Sequence, residues 1–302
     1  MNPPQSDEKV KKSRLKWYEQ LGLFFLFSLC GILALGPIQW GNITLPDPWI
    51  YPYKIVLPFV FLLISLVLRR KTNLEPYFKI FFMFFTATSA LLIVKLVFLL
   101  INSLDAFFTI PTNTEWGFST VKFIEMFVIV SSVILINLIA QRTEHKRKIF
   151  EELYMKKGKL YLGLIIGFSG FFVFAIGAVF IAKYLFYGSA LTWSAVFTWL
   201  PWILLFCFSN GILEEVLYRG LFLTRYEPFF NFHVYNLLQA IIFASIHIGV
   251  IYTSESLMFL GITFLLGLLF GLLTKKTDSL LASILFHAGT DFVVIIGIFV
   301  NL

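Results

Sequence analysis

Six ionisable side chains lie inside apolar stretches in the C-terminal third of this sequence. They are, in chain order, Glu214, Glu215, Arg219, His247, His287 and Asp291. An ionisable side chain is costly to place in lipid, so within an apolar segment it faces a bundle interior or a wet cavity and marks a functional site. Carboxylates and imidazoles can take and return the protons of a water molecule. The set therefore indicates hydrolytic chemistry.

The two adjacent glutamates are expected to differ in role. Residues four apart share one face of a helix, whereas adjacent residues point about 100° apart. Arg219 can therefore hold Glu215 in a bidentate ion pair that offsets the desolvation of both groups. Glu214 is left without that partner, so its carboxylate is available as a general base or acid. We predict that Glu215 is structural and that Glu214 is catalytic.

The two intramembrane histidines have partners at the same helical spacing. Phe243 lies four residues before His247, so its ring is expected to wall a pocket beside the imidazole, and His287 lies four residues before Asp291. A single intramembrane histidine more often forms a hydrogen bond between helices. Here both belong to the same third of the chain as the glutamate pair, which favours catalysis. The other two histidines lie at polar boundaries and are excluded.

The composition excludes a soluble globular protein. Of the 302 residues, 59% are hydrophobic and 14% are charged, with a mean hydropathy of +0.85, whereas soluble domains carry about 25% charged residues. The chain is predicted to be all-α, a polytopic bundle of membrane helices in contact with the lipid bilayer. Its two cysteines, Cys30 and Cys207, predict neither a disulfide nor a metal-binding motif.

Nine apolar runs reach the length of about 20 residues that spans a bilayer. They cover approximately 20–39, 50–68, 77–102, 119–140, 160–186, 201–226, 233–252, 256–274 and 279–301. If the nine runs cross the membrane in alternating directions, 20 of the 24 Lys and Arg residues lie on one side of the membrane. The other side has Lys54, Lys95, Lys122 and Lys183. The positive-inside rule then places the N-terminus in the cytoplasm. Topology thus explains the basic clusters, and no nucleic-acid partner is expected.

One polar break divides the chain. Residues 141–159 are predicted to form a cytoplasmic connector with a short surface helix, between a four-span accessory part (1–140) and the part that carries the ionisable set (160–302). In the accessory part, a few inner charges are expected to snorkel at helix ends. These are Lys95, Lys122 and Glu125.

Two finer features are predicted within residues 160–302. Residues 188–200 alternate aromatic and small polar types, which is typical of an outer interfacial segment, and Pro201 suits the first turn of the span that contains Glu214. Two small-residue pairs, Gly163-x-x-x-Gly167 and Gly267-x-x-x-Gly271, predict close helix packing.

The three ionisable patterns, in order and separation, resemble the signature of the CPBP intramembrane proteases. That group contains the CAAX prenyl endopeptidases and the bacterial Abi and bacteriocin-processing relatives. The patterns are Glu214-Glu215-x-x-x-Arg219, Phe243-x-x-x-His247 and His287-x-x-x-Asp291. The resemblance covers roughly residues 160–302 and leaves the first 140 without a counterpart. It implies a helical membrane bundle that holds a peptidase site, with a bacterial cell membrane as the expected location.

The resemblance also implies a role for each motif. Glu214 and His247 would activate the attacking water, and His287 with Asp291 would stabilise the oxyanion, while the Glu–Arg pair of the first motif supports them. The family's last position is often Asn, which can donate a hydrogen bond. Asp291 donates only when it is protonated. An ionised Asp291 would instead orient His287 or join a metal site.

A catalytic metal is left open by the sequence. Glu214, His247 and His287 would make a zinc site with two histidines and one glutamate. A metal-independent glutamate protease is equally consistent, because the three residues come from separate helices and no local spacing decides between the two.

The sequence therefore predicts a CPBP-type intramembrane endopeptidase that cleaves a membrane-anchored or hydrophobic peptide. One alternative is a non-catalytic membrane protein of the same fold, such as a bacteriocin self-immunity factor or a scaffold. The complete set of ionisable residues argues against it. The other alternative is a proton-coupled transporter, and the lack of repeat symmetry between the halves argues against that.

Overall fold

The apolar segments form helices because a backbone in lipid must satisfy its own N–H and C=O groups. The computed structural model describes residues 15–36, 50–104, 110–140, 146–156, 158–185, 191–248, 253 and 255–302, and these contain helices and no strands. The helices are α1 (Trp17–Leu35), α2 (Ile50–Arg69), α3 (Glu75–Ser103), α4 (Glu115–Ala140), α5 (Lys146–Glu152), α6 (Leu160–Leu185), α7 (Trp193–Glu215), α8 (Thr224–Tyr226), α9 (Phe232–Ser245), α10 (Ser256–Thr277) and α11 (Leu281–Phe299). A 3₁₀ turn at Thr72–Leu74 precedes α3, and a π-helix at Val216–Leu223 joins α7 to α8.

Eight helical segments of the described chain are long and apolar enough to cross a membrane, so this is a multi-pass integral membrane protein. They correspond to eight of the nine predicted runs. The predicted span at 233–252 contains instead the 14-residue helix α9. At 1.5 Å per residue, such a helix rises about 21 Å, against a hydrocarbon core of about 30 Å. The ninth run is therefore not a full-length helical span.

Contacts between helix ends define one face of the bundle. The Lys159 amide donates to the Thr277 carbonyl at 2.7 Å, which brings the start of α6 to the end of α10. Arg225 pairs with Glu152 at 2.7 Å, which brings the end of α8 to the predicted connector. We call this side the connector face. The predicted short helix of the connector is α5, and residues 141–145 and 157 lie outside the described chain.

The opposite face is fixed by a contact between the end of α6 and the segment before α10. Thr253 Oγ1 donates to the Leu185 carbonyl at 2.7 Å. The chain therefore leaves the connector face after α8 and reaches the opposite face before α10, although α9 alone is too short for the distance. His247 lies in the turn that follows α9, within this interrupted crossing.

The predicted start of the span that contains Glu214 is wrong. α7 begins at Trp193, where the Thr192 side chain caps it by accepting from the Ala195 amide at 3.3 Å. The helix continues through Pro201, so the residues from 193 onward are not a separate interfacial segment. α7 packs against α4 and α11. Next to Pro201, Ser119 of α4 donates to the Trp202 carbonyl at 2.9 Å.

The small-residue pairs lie at helix interfaces, as predicted. Gly167 of α6 faces Leu285 of α11, and a side chain at Gly271 of α10 would collide with Asn236 of α9. The close approach at Gly271 brings the backbone of α10 within reach of polar groups on α9.

Three of the N-terminal helices, α1, α3 and α4, pack directly on the C-terminal elements. Phe27 of α1 stacks on Tyr226 at 5.8 Å between ring centres, and Phe84 of α3 lies 5.8 Å from Phe222 of the π-helix. α4 packs along α7. The accessory part therefore forms a wall of the region described next.

Candidate active site

The Glu215–Arg219 ion pair forms and is completely buried. Arg219 Nη1 donates to Glu215 Oε1 at 2.7 Å, and both side chains are 0% exposed. The contact is not the bidentate pair that was predicted, because Glu215 Oε2 has no hydrogen-bond partner among the described residues. The pair also crosses the junction of α7 and the π-helix, where a regular α-helix was expected. π-helical turns are rare and occur frequently at functional sites.

Arg219 is enclosed by groups from two other helices. Its Nη2 donates to the Gly267 carbonyl of α10 at 3.1 Å, and Gln239 of α9 donates to the same carbonyl at 2.8 Å. The guanidinium carbon lies 4.4 Å from the ring centre of Phe243 and 5.1 Å from that of Phe270. Arg219 thus ties the π-helix to α9 and α10 by hydrogen bonds and by cation–π contacts.

His287 of α11 is oriented by Glu215. Its Nδ1 lies 2.8 Å from Glu215 Oε1, and because a carboxylate accepts, Nδ1 carries the proton. Nε2 therefore points away from Glu215, 3.5 Å from Glu214 Oε2 and 3.6 Å from Asp291 Oδ1. The ring stacks on Phe270 at 4.7 Å. Glu215 thus orients the ring, the role that the sequence left open for Asp291.

Glu214 borders a cavity of about 460 Å³. Its side chain is 12% exposed, and its Oε2 makes no hydrogen bond with any described residue. The contacts of the two adjacent glutamates differ as their spacing from Arg219 predicted: Glu215 is held by Arg219 and His287, whereas Glu214 has no arginine partner and borders the cavity.

His247 is fixed by the backbone of its own segment. Its Nδ1 lies 2.9 Å from the Phe243 carbonyl, which can only accept, so the neutral ring keeps its lone pair on Nε2. The Phe243 ring lies 5.0 Å from the His247 ring and 5.9 Å from the His287 ring. Phe243 therefore walls both imidazoles, as its spacing from His247 predicted.

Asp291 is held by a residue that the sequence analysis did not select. Asn210 of α7 donates from Nδ2 to Asp291 Oδ2 at 3.0 Å. Asn210 lies four residues before Glu214 and is buried. A polar amide within an apolar span is the feature of the sequence that could have identified Asn210 as a site residue. Gln239 and Asn236 on α9 have the same feature.

The residues do not form the zinc site that was considered. Within the part of the chain that the structure describes, no three His, Cys, Asp or Glu side chains converge as ligands of one metal ion. His287 gives its Nδ1 to Glu215, and its Nε2 lies 3.5 Å from Glu214 Oε2. The arrangement provides general acid–base groups and hydrogen-bond donors.

Three lysines of the N-terminal helices line the same cavity as Glu214. Lys54 of α2, Lys95 of α3 and Lys122 of α4 contribute to its wall, together with Glu125. Lys95, Lys122 and Glu125, which the sequence predicts to snorkel at helix ends, thus also border this cavity. Lys122 pairs with Glu125 at 2.7 Å. The sequence does not reveal that these residues lie close together, because they come from three separate helices with apolar residues between them.

A comparison with family models matches residues 195–293 to the family described as Rce1-like type II CAAX prenyl endopeptidase. The matched segment runs from the beginning of α7 into α11 and contains all of the predicted site residues. Residues 195–293 are a domain of this family, which belongs to the CPBP class that the three motifs resemble. Neither the curated proteins nor the solved structures gave a match to the chain.

Proposed function

We propose that the protein is an intramembrane endopeptidase that hydrolyses a peptide bond in a membrane-associated or hydrophobic peptide. One observation carries the proposal. The family-matched segment folds so that Glu214 faces a cavity while its neighbour Glu215 holds His287. A scaffold has no need of a cavity-facing carboxylate beside two oriented imidazoles.

Glu214 acts as the general base in this proposal, with His247 Nε2 accepting a hydrogen bond from the same water. The water oxygen bonds to the carbonyl carbon of the substrate while one water proton passes to Glu214. Glu214 then delivers that proton to the amide nitrogen as the carbon–nitrogen bond breaks. The products are a carboxylic acid and an amine, and Glu214 returns to its starting form.

His287 donates to the developing oxyanion from Nε2 in the proposed mechanism. This role requires protons on both ring nitrogens, because Nδ1 donates to Glu215. Three carboxylates, those of Glu214, Glu215 and Asp291, lie around the ring and offset its positive charge. Arg219 supports the site indirectly by fixing Glu215.

A cleavage assay tests the proposal. The purified protein in lipid nanodiscs is incubated with a farnesylated peptide that ends in a CAAX sequence, and with an unprenylated hydrophobic peptide, while mass spectrometry identifies the fragments. We expect cleavage of at least one peptide at a single bond, absent from empty nanodiscs and unchanged by a zinc chelator. Intact peptides after prolonged incubation would overturn the proposed function. Bound stoichiometric zinc, with activity lost to the chelator and restored by zinc, would overturn the metal-independent mechanism.

Asp291→Asn is expected to lower kcat about 10- to 100-fold. This is the usual effect of removing a group that supports a ligand or a catalytic residue. The Asn210 amide donates to Oδ2, and Oδ1 faces Nε2 of His287, so we infer that Asp291 acts as an anion that favours the donor form of His287. The measurement is kcat against KM for the peptide. Equal or higher activity in Asp291→Asn would instead assign Asp291 a protonated, donating role.

We also propose that the connector face is cytoplasmic and that the chain divides into an accessory part (1–140), the connector (141–159) and the protease part (160–302). The connector face carries basic residues that include Lys156, Arg225 and Lys275. Arg219 is buried in the bundle and does not contribute to this asymmetry. Positive charge favours the cytoplasmic side.

A reporter fused after Leu302 should therefore be active outside the cell, and one inserted between α4 and α5 should be active in the cytoplasm. The C-terminal end of α11 lies away from the connector face, because α11 begins there: the Leu280 amide donates to the Tyr154 carbonyl at 3.1 Å. Alkaline phosphatase and green fluorescent protein fusions measure the two positions. Reversed signals at both sites would contradict the orientation.

A further inference from the structure

The cavity beside Glu214 joins the protease domain to helices outside it. Its wall contains Glu214 and Tyr218 from the family-matched segment, and Lys54, Lys95 and Lys122 from α2, α3 and α4. Lys54 lies near the start of α2 and Lys95 in the second half of α3, so these two lie toward the face opposite the connector. The accessory helices therefore supply positive charge to the space in which substrate would meet Glu214.

Two of these lysines form no ion pair with a described carboxylate, although Glu125 and Glu214 line the same cavity. Lys122 is paired with Glu125 at 2.7 Å, but no described carboxylate forms an ion pair with Lys54 or Lys95. Both are only partly exposed, and both line the same cavity. Like charges in a partly desolvated cavity repel, and an anion placed between them relieves that repulsion.

The size of the cavity limits what the anion can belong to. A helix is about 10–12 Å across and rises 5.4 Å per turn, so one turn fills on the order of 500 Å³. The cavity of about 460 Å³ therefore has room for a few residues of a substrate beside Glu214. A short peptide end brings its own anion, the terminal carboxylate.

We propose that Lys54 and Lys95 form a cationic subsite that binds the C-terminal carboxylate of the substrate, so that the cleaved bond lies a few residues before the end of the peptide. This inference rests on the proposed function. The carboxylate of a peptide and the phosphate of a lipid headgroup share the required chemistry, and the test separates them. An extended residue covers about 3.3–3.6 Å, so the distance between the lysines and Glu214 sets the length of the released fragment.

The test measures binding separately from cleavage. In a Glu214→Gln background, which retains uncleaved peptide, the Kd of a dansylated farnesyl peptide is measured by fluorescence anisotropy with a free C-terminal carboxylate and with a C-terminal amide. We expect the acid to bind roughly 10- to 100-fold more tightly than the amide, as hydrogen bonds to a charged group predict. Lys54→Met with Lys95→Met should reduce this ratio to near one. Lys183→Met, an exposed lysine of α6 outside the cavity, should keep it.

Each alternative has its own outcome. Equal Kd values for acid and amide, or a ratio that survives in the double lysine variant, would overturn the subsite. Loss of binding in that variant only in nanodiscs that contain anionic phospholipid, with no preference for the acid, would assign the lysines to a lipid headgroup and also overturn it. Failure of the wild-type protein to cleave either peptide would overturn the proposed function and not the subsite. The ratio of the Kd values for acid and amide can still be measured in that case.

Discussion

Glu214→Gln is expected to abolish peptide cleavage while leaving the protein folded. Removing a general base lowers rates by about 10²- to 10⁴-fold. Glu214 Oε2 makes no hydrogen bond with a described residue and the side chain borders the cavity, so an amide of the same shape breaks no such hydrogen bond and removes only the 3.5 Å charge contact with His287 Nε2. The measurement is kcat for the peptide, together with the melting temperature in detergent.

Its neighbour provides the matched control. Glu215→Gln makes the same chemical change one residue away, but Glu215 Oε1 receives both Arg219 and His287. We expect this variant to lose stability as well as activity. Cleavage retained by Glu214→Gln would refute its assignment as the base. Identical melting temperatures for Glu214→Gln, Glu215→Gln and Arg219→Ala would refute the division of roles between the glutamates.

Arg219→Met is expected to destabilise the protein by about 3–5 kcal/mol, the usual effect of removing one partner of a buried ion pair. The change leaves the fully buried Glu215 carboxylate with His287 as its one remaining described partner and removes one of the two donors to the Gly267 carbonyl. At about 2–4 °C per kcal/mol, the melting temperature should fall by roughly 6–20 °C. Cleavage should fall too, because Glu215 then holds His287 less firmly.

Two further variants identify the cause of the lower stability of Arg219→Met. Arg219→Met combined with Glu215→Gln should be more stable than Arg219→Met alone, since no charge is then left buried without a partner. Lys275→Met breaks a surface pair with Glu227 whose atoms lie 3.5 Å apart, and such exposed pairs contribute about 0–1 kcal/mol. A similar fall in melting temperature for Arg219→Met and Lys275→Met would contradict a structural role of the buried pair.

The sequence by itself determined that this is a multi-pass membrane protein and that Glu215, not Glu214, pairs with Arg219. Apolar runs of spanning length predict membrane helices whatever their packing, because lipid leaves the backbone no other partners. The Glu215–Arg219 contact is equally local, since a spacing of four brings side chains together in any helical turn. Phe243 lies beside His247 for the same reason.

Only the tertiary structure decided what lies across from each motif. Glu215 rather than Asp291 holds His287, and Asn210 holds Asp291, because these contacts join α7 to α11 over 72 and 81 residues of chain. The short α9 crossing and the π-helix were likewise not predictable, because both lie in apolar runs long enough for a regular membrane helix. Lys54 and Lys95 reach the cavity beside Glu214 from separate helices, a proximity that no spacing in the sequence encodes.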